Sequence, residues 1–426
     1  MGIYSVVISL LLAIFIVINE ITRKKSNKNI EILTFINIIF FICFSLVPFL
    51  VYFYFENLHI WTQKNDINEI YYFMAVFYAL ISYIAIIFAY KTALKFKYKK
   101  LNLVESGKKN FHFSLIVTLV GWVFLVIFIQ GVGGISNFFT TNTLYRGGNI
   151  EVSPVAFSRN LALFIPVGSF IMFYNVLSSY SKYKYRNWFL LIVNFLVSLA
   201  IFYNRSGRLS LIIYIVTFFI IYSLFKKRNI YIYLVFLSPA ILWFISFGKS
   251  MFNYFFIGNF NVNNKSFDIE SILSEFTFPF FTLANAIKFP FFQEEPRLFI
   301  DFLYGVANLL PSAFIPIQIP KTVTMLNTES FGNISGIPID LVSLGFHSFG
   351  IAGIMIISLA FGFASGYTQK KLLDSNVKII IVFYAQFIFF FALRVSYAEP
   401  TNFLKSNFSF LIVFVVFLLL YKKRGK

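Results

Sequence analysis

The sequence has little charge, little cysteine and no zinc-binding cluster, and each shortage excludes a class of protein. Only 12% of the 426 residues are charged, whereas 59% are hydrophobic. A soluble domain needs more charge to cover its surface, so a soluble fold is excluded. The single cysteine, Cys43, excludes a disulfide within the chain, and no group of cysteines and histidines has zinc-ligand spacing.

Motifs for nucleotides and for nucleophilic catalysis are also missing. Neither a Walker loop, a Rossmann fingerprint nor a Ser-His-Asp signature is present. The basic connections between apolar runs are too short to hold a nucleotide-binding domain. We therefore expect no metal and no cofactor, and any chemistry must use a substrate that is already activated.

Apolar runs long enough to cross a membrane recur along the chain. They cross as helices, because the alternating polarity of barrel strands is absent. The sequence predicts an all-α polytopic membrane protein, with residues 1–426 forming one integral membrane domain. About eleven spans are expected, within a range of ten to twelve, at about 3–19, 32–55, 71–90, 111–130, 155–177, 188–203, 209–225, 230–247, 350–368, 379–393 and 404–421.

The charges are divided unevenly between the two sets of connections. One set carries 24 basic and 4 acidic residues, and the other carries 12 basic and 13 acidic residues. By the positive-inside rule, the first set faces the cytoplasm. The N-terminus is then outside and the C-terminus is cytoplasmic. The net charge of +19 is thus a topology signal, and nucleic acid is not an expected partner.

Arginine is concentrated on the predicted outer side. It supplies only four of the 24 inner basic residues but six of the 12 outer ones, namely Arg146, Arg159, Arg205, Arg208, Arg297 and Arg394. A guanidinium binds phosphate or carboxylate oxygens through two parallel hydrogen bonds, which an ammonium cannot do. The bias therefore predicts phosphate binding. Snorkelling and helix-end ion pairs are the alternative for individual arginines.

Two of these arginines lie in the segment Asn204-Arg205-Ser206-Gly207-Arg208, between two apolar runs. The preceding run has only about fifteen residues, fewer than the roughly twenty that span hydrocarbon. A helix of normal length would draw Arg205 below the headgroups, where arginine is costly unless it has a partner. The segment is therefore a candidate site, and a hairpin turn at Gly207 with both arginines snorkelling outward is the alternative.

The connection at 248–349 is a large periplasmic or extracellular loop. Loops of that length are usually functional or separately folded. Its apolar segments predict short amphipathic helices that lie on the membrane surface or dip into it, at Phe276–Phe281, Pro296–Gly305 and Leu309–Pro316. A second outer segment, Gly131–Gly148, is rich in glycine and contains Arg146, so its backbone N–H groups are candidates for holding an anion.

Titratable groups near the end of the long loop are candidates for removing a proton from a sugar hydroxyl. They are Glu329, Asp340 and His347, and for His347 an interfacial structural role is an equal alternative. Gly350 and Gly353 predict close helix packing. Further along, Arg394 and Glu399 predict an ion pair near a helix end, with Pro400 stopping that helix.

This combination of segments resembles the bacterial oligosaccharide repeat-unit polymerases, the O-antigen or capsular polymerases of the Wzy type. The resemblance rests on the glycine-rich loop ending at Tyr145-Arg146-Gly147, the 204–208 hairpin, the segment Leu309–Pro316 and the segment Phe346–Gly353. The layout is also similar to that of O-antigen ligases and the multi-spanning class C glycosyltransferases. Related ligases have an arginine in a short outer turn and a histidine in a long outer loop.

The resemblance implies a polysaccharide polymerase at the outer face of the bacterial cytoplasmic membrane. It would transfer a glycan from undecaprenyl pyrophosphate onto another lipid-linked unit, with a chain-length regulator, a flippase and membrane lipid as partners. Arginines that bind the leaving pyrophosphate most tightly in the transition state would lower the barrier without metal. The candidates for that role are Arg205, Arg208 and Arg146, followed by Arg297 and Arg394. The candidate bases are Glu329, His347 and Asp340.

Four other functions stay open at this point. A flippase for lipid-linked oligosaccharide would show two similar halves and charges within several spans, and the sequence shows neither. An O-antigen ligase would use similar residues. A membrane acyltransferase usually has a histidine in the membrane core, and none of the three histidines lies at mid-span. A scaffolding protein would not need so many outer arginines.

Overall fold

The computed structural model describes residues 2–23, 30–54, 67–139, 156–178, 184–205, 207–257, 269–290, 296–309, 321–332 and 336–423. These residues are almost entirely helical, and the described part contains an isolated bridge between Leu103 and Lys422 but no strand. The helices are α1 Ile3–Thr22, α2 Ile32–Phe41, α3 Val47–Tyr54, α4 Glu69–Lys95, α5 Gly107–Gly131, α6 Ala156–Leu161, α7 Phe164–Leu177, α8 Lys184–Asn204, α9 Arg208–Lys226, α10 Ile230–Ile257, α11 Ile269–Lys288, α12 Ile300–Ala307, α13 Val323–Ser330, α14 Leu341–Leu373, α15 Ile380–Ala392 and α16 Pro400–Tyr421.

Nine apolar segments of the described chain are long enough to cross a membrane, which confirms an all-α, multi-pass membrane protein. Two of them join short helices: α2 continues through a π-helical turn into α3, and α6 runs on into α7. Two further apolar helices, Ile232–Phe244 and Ile380–Val395, are shorter. They coincide with the remaining two predicted runs, so the count of eleven spans stays a prediction.

The chain forms two compact units. The first comprises Met1–Tyr98, Asp268–Lys370 and Phe387–Lys405, and the second comprises Lys99–Phe267, Lys371–Gln386 and Ser406–Lys426. The units therefore alternate along the sequence and are not two consecutive halves. Of the residues singled out from the sequence, Arg205 and Arg208 belong to the second unit, and the candidate bases belong to the first.

Several helices begin at the polar residue that the sequence places before an apolar run. The Asn68 side chain accepts a hydrogen bond from the Ile70 N–H before α4, and the Ser106 hydroxyl accepts one from the Lys109 N–H before α5. Thr322 does the same for Met325 in α13. Each cap satisfies a backbone donor that the helix itself leaves unpaired.

Helix α11 corrects the prediction for the long loop. Residues 277–287 are all buried in the first unit, where α11 packs on α4, and the Phe280 ring stacks on Tyr72 at 5.4 Å. Of the two positions predicted for Phe276–Phe281, the one on the membrane surface is therefore wrong, and the one inside the membrane stays a prediction. The physical reason is that this segment is apolar or small around its whole circumference, and such a helix is stable only when it is enclosed. By contrast, α12 exposes Leu303 and Val306, and its position at the membrane stays a prediction.

Helix α14 is a helical hairpin. Its φ/ψ angles leave the helical region at Phe349 and at Gly350, where φ is 60° and ψ is −143°. The two arms, 341–348 and 351–373, meet at Gly345, where an added Cβ would lie 2.8 Å from the Cα of Ile354. Gly345 and Gly353 therefore provide the close packing that was predicted for Gly350 and Gly353, and Gly350 makes the turn.

A buried ionic network joins α1 to α2 in the first unit. The Arg23 guanidinium lies 2.9 Å from the Glu20 carboxylate and 3.0 Å from the Glu31 carboxylate. Glu20 also accepts hydrogen bonds from Thr34 and Asn37. A buried charge is stable only with such partners, so this network fixes the first two spans against each other.

In the second unit, aromatic packing aligns the helices that lead to the candidate site. The Tyr214 hydroxyl of α9 lies 2.8 Å from the Ser169 hydroxyl of α7, and the Tyr214 ring stacks on Phe195 of α8 at 5.7 Å. Trp122 of α5 donates a hydrogen bond of 3.1 Å to Asn194 of α8. These contacts fix α8 and α9 along their length, and therefore fix the turn that joins them.

Candidate anion-binding site

The turn between α8 and α9 is closed by its own backbone. The Arg205 N–H donates to the Ile201 carbonyl at 3.1 Å, and the Gly207 N–H donates to the Phe202 carbonyl at 3.2 Å. These bonds satisfy carbonyls at the end of α8 that have no partner within the helix. Gly207 then precedes α9, so Arg205 and Arg208, which are three residues apart, flank the turn between the two helices. Ser206 lies outside the described residues.

A second arginine lies beside Arg205. Arg159, in α6, donates through Nε to the Asn204 side-chain oxygen at 3.0 Å and through a terminal nitrogen to the Asn204 carbonyl at 2.8 Å. The Asn204 amide in turn donates to the Phe138 carbonyl. We call Arg159, Asn160, Asn204 and Arg205 the arginine cluster.

The partners of Arg205 are neutral. Its guanidinium donates to the Asn160 side-chain oxygen at 3.0 Å and approaches the Arg159 carbonyl at 3.5 Å. The Asn160 carbonyl also accepts a hydrogen bond from Ser409, which fixes Asn160 in place. Among the described residues, no carboxylate pairs with Arg205.

Electrostatics in the cluster favour an added anion. Burial, together with the positive charge of Arg159, lowers the pKa of Arg205 to about 9. Arg205 therefore keeps its proton at neutral pH, but at a free-energy cost that a nearby negative charge would offset. Helix α9 begins at Arg208, and the positive end of its helix dipole also favours an anion there.

Arg146 and residues 310–316 lie outside the described residues, as does all of the glycine-rich segment after residue 139. The interpretation of Arg146 as a third phosphate ligand therefore stays a prediction. Within the described residues, no group of three histidine, cysteine, aspartate or glutamate side chains is arranged to hold a metal ion.

Arg297, in the first unit, has its charge offset by a carboxylate. Its Nε and a terminal nitrogen bind the two Asp301 oxygens at 2.7 and 2.8 Å, and the guanidinium also donates to the Lys321 carbonyl at 3.0 Å. Asp301 is 1% exposed and also accepts from the Val323 N–H. The pair fixes the starts of α12 and α13, which makes Arg297 a weaker candidate for binding pyrophosphate than Arg205.

Arg394 and Glu399 do not form the predicted ion pair in the structure. The Arg394 guanidinium donates to the Phe390 carbonyl at 3.1 Å and lies over the Phe403 ring at 5.0 Å. Glu399 instead accepts from the N–H groups of Thr401 and Asn402, and burial raises its pKa. Pro400 begins α16 and does not end a helix. A proline is favourable at a first helical position, where no N–H is needed.

The three candidate bases have different surroundings. Glu329 is about half exposed, and its carboxylate lies 2.8 Å from the Lys321 ammonium. Asp340 is fully buried and caps α14, accepting from the N–H groups of Val342 and Ser343. Burial raises the pKa of Asp340 to about 7, against the opposing effect of these hydrogen bonds. His347 is buried within the first arm of the α14 hairpin, and neither its role as base nor its interfacial structural role is tested by this position.

Sequence reasoning did not select Arg159 or Asn160 as site residues. A signal was present, because Arg159-Asn160 at the start of one apolar run repeats, in reverse order, the Asn204-Arg205 pair at the end of another. Two amide–arginine pairs at span ends are the arrangement that the structure brings together. The pairing between them depends on hydrogen bonds between α6 and the end of α8, which no local pattern encodes.

The fold and the arginine cluster define a multi-pass, α-helical membrane protein with a candidate anion-binding site at one end of its spans. Comparison with known protein families, curated proteins and solved structures found no match for this chain.

Proposed function

We propose that this protein is a membrane glycosyltransferase that polymerises lipid-linked oligosaccharides at the outer face of the cytoplasmic membrane. The arginine cluster, with Arg208, would bind the pyrophosphate of an undecaprenyl-linked donor. The observation that carries the proposal is Arg205, a partly buried guanidinium with neutral partners and a second guanidinium beside it. Such an arrangement is unfavourable when empty and favourable when an anion occupies it.

The proposed reaction needs one nucleophilic substitution. The acceptor hydroxyl oxygen forms a bond to the anomeric carbon of the donor glycan, and the bond from that carbon to the pyrophosphate oxygen breaks. The leaving electron pair stays on the pyrophosphate, whose additional charge the arginines stabilise. A carboxylate accepts the hydroxyl proton, and Glu329 is the candidate because it is the exposed one of the three.

The rival transporter function has less support. Transporters of lipid-linked sugars are commonly built from repeats that follow one another along the chain. Here each compact unit is made of three stretches, which alternate along the sequence with those of the other unit. The units are therefore not successive repeats. The described spans also place Arg159 and Arg394 at their ends, and not at mid-span as a central transport cavity would need.

The test is the variant Arg205→Lys. It keeps the positive charge but loses the planar fork, and we expect about a hundredfold loss of glycan lengthening. The measurement is the length distribution of the surface glycan on a gel, from cells in which the variant replaces the wild-type protein. The matched control is Arg186→Lys, which changes an arginine at the opposite, lysine-rich end of α8, where it lies over the Phe111 ring.

The two variants separate the outcomes. Short glycans with Arg205→Lys and normal glycans with Arg186→Lys, at equal membrane abundance, support the proposal. Normal long chains with Arg205→Lys contradict it. A cell without the protein that still displays single units on its surface has lost polymerisation, whereas one that displays none has lost transport and favours the rival.

A further inference from the structure

An apolar groove of about 570 Å³ lies between α7, α8, α9 and α10 of the second unit. Its walls include Phe173, Ile192, Phe195, Ile215, Phe219 and Tyr233. The residues that line it present aliphatic side chains and aromatic rings. Ile192 is 52% exposed, so the groove opens on the outside of the helix bundle, where the surrounding medium is lipid.

The groove and the candidate anion-binding site, formed by the arginine cluster and Arg208, share helices α8 and α9. Helix α8 ends at Asn204, and Phe195 lies nine residues earlier, which is about 14 Å along the axis. Helix α9 begins at Arg208, and Ile215 lies seven residues later, about 10 Å along the axis. The groove therefore begins about 10–14 Å from the arginines, on the side toward the membrane interior.

The far end of the groove gives its length. Trp188 lies sixteen residues before Asn204, about 24 Å along α8. Tyr222 lies fourteen residues after Arg208, about 21 Å along α9. The arginine site and the groove together fit one amphiphile, with an anionic head and an apolar tail that is more than about 20 Å long.

We propose that this groove binds the polyprenyl tail of the lipid whose pyrophosphate the arginine cluster holds. The inference rests on the proposed function, and it adds that the protein recognises the tail length of the lipid carrier. Because lipid tails are as apolar as the groove, transfer from the bilayer gains little hydrophobic free energy. Selectivity comes instead from close packing against the aromatic walls, where Phe195 and Phe173 both contact Phe218, with ring centroids 5.8 and 5.1 Å apart.

Tail length is therefore the variable to test. Geranyl pyrophosphate, with two isoprene units, is too short to fill a groove that begins 10–14 Å from its head, whereas heptaprenyl pyrophosphate, with seven units, reaches the far end. We expect the wild-type protein to prefer the longer probe by about tenfold, the equivalent of about 1.4 kcal/mol of packing. Affinities are measured by displacement of labelled pyrophosphate probe from the full-length protein in nanodiscs of one lipid composition.

A matched pair of variants isolates the groove. Ile192→Trp puts a large ring into the groove, whereas Leu196→Trp adds the same ring one turn later on α8, at a position that is 58% exposed and outside the lining. Both positions face lipid, so both variants are expected to fold. Ile192→Trp should lose the preference for the longer probe while keeping wild-type affinity for inorganic pyrophosphate. Leu196→Trp should keep both.

The outcomes distinguish this inference from the proposed function. If Ile192→Trp still preferred the longer probe, the tail would bind elsewhere and the inference would be overturned, whether or not the arginine cluster binds the pyrophosphate. Equal affinity of Arg205→Lys and wild type for inorganic pyrophosphate would overturn the proposed function. Loss of the preference in Leu196→Trp as well would show an effect of bilayer packing alone, and it would also overturn the inference.

Discussion

Glu329 differs from Asp340 and His347 in being exposed, and a base that meets a sugar hydroxyl must be accessible. We predict that Glu329→Gln lowers the rate of glycan lengthening by about a hundred- to ten-thousand-fold, because the amide cannot accept the proton. The measurement is incorporation of labelled lipid-linked units into long chains by membranes that contain equal amounts of protein. Asp340→Asn and His347→Ala are assayed in parallel, since each is a candidate for the same role.

The control uses the ion pair with Lys321. Lys321→Gln removes the same salt bridge, 2.8 Å long in the structure, but leaves the Glu329 carboxylate in place. An exposed ion pair stabilises a protein by about 0–1 kcal/mol, so loss of the pair alone has a small effect. Equal losses of activity in the two variants would assign Glu329 a structural role and contradict its role as base.

Asp340 makes the stability of the protein depend on pH. Its pKa is raised to about 7 in the folded protein, against about 3.9 in an unfolded chain. The folded state therefore binds more protons than the unfolded state between about pH 4 and pH 7, and its free energy of unfolding falls as the pH rises through that window. The slope contributed by this group is at most about 1.4 kcal/mol per pH unit.

The variant Asp340→Asn keeps an oxygen that caps α14 but carries no charge at any pH. We predict that its advantage over the wild type in thermal unfolding grows from about pH 4 to pH 7. Thermal denaturation in detergent across that range measures it, with Asp374→Asn as the control, because Asp374 is an exposed carboxylate. Parallel pH profiles for wild type and Asp340→Asn would contradict the prediction.

At the scale of single residues, the sequence predicted which types of side chain stand out but not their partners. Arg205 was recognisable because it interrupts apolar runs, and the bias of arginine to one side was visible in a count. The bidentate pair of Arg297 with Asp301 was not recognised, although the two are four residues apart and adjacent on a helical surface. The contact of Arg394 with Phe403 depends on the packing of α15 against α16, which local sequence patterns do not predict.

Among the helices, α14 shows most directly how glycine determines structure. Gly350 has φ 60° and ψ −143°, a conformation that side chains with a Cβ rarely adopt. We predict that Gly350→Ala destabilises the protein by about 1–3 kcal/mol, measured as a lower midpoint of thermal unfolding in detergent.

Gly336→Ala is the matched control for that prediction. The Cβ added at Gly336 would have its nearest neighbour, the Thr324 methyl, at 3.9 Å, which is an ordinary contact. This variant should therefore unfold at the wild-type temperature. If Gly350→Ala were as stable as the wild-type protein, the turn between the two arms would not need a glycine. That result would contradict the conformation described for Gly350.

The helices themselves were largely predictable, because a run of apolar residues in a membrane has to satisfy its backbone internally. For the nine long spans of the described chain, predicted and observed ends differ by at most five residues, except that α14 starts nine residues earlier because it includes the first arm of the hairpin. Helix α11 was not predicted as a buried element, because its first turn carries Glu270 and its length was obscured by Pro279. Whether such a segment lies on the surface or inside depends on whether other helices leave room for it.

At the scale of the whole molecule, the alternation of two units along the chain was invisible in the sequence. The first unit is assembled from three separate stretches, and so is the second. Contacts of that sequence separation form only when distant helices meet, and hydrophobic periodicity carries no information on which helices those are. The sidedness of the protein is different, because it depends on charges that can be counted directly.

The predicted orientation in the membrane can be tested by cysteine labelling, in which the single native cysteine serves as the negative control. Cys43 is buried, so the wild-type protein should not react with a membrane-impermeant maleimide. Lys321→Cys introduces a thiol on the predicted outer side, at a position that is 59% exposed, and Lys423→Cys introduces one on the predicted cytoplasmic side. We expect Lys321→Cys to be labelled in intact spheroplasts and Lys423→Cys only after the membrane is permeabilised. The positive-inside rule requires this pattern, because 24 of the 36 basic residues are on the side that contains Lys423. The opposite pattern would place the arginine cluster in the cytoplasm, away from lipid-linked sugars that have already crossed the membrane, and the proposed polymerisation would be excluded.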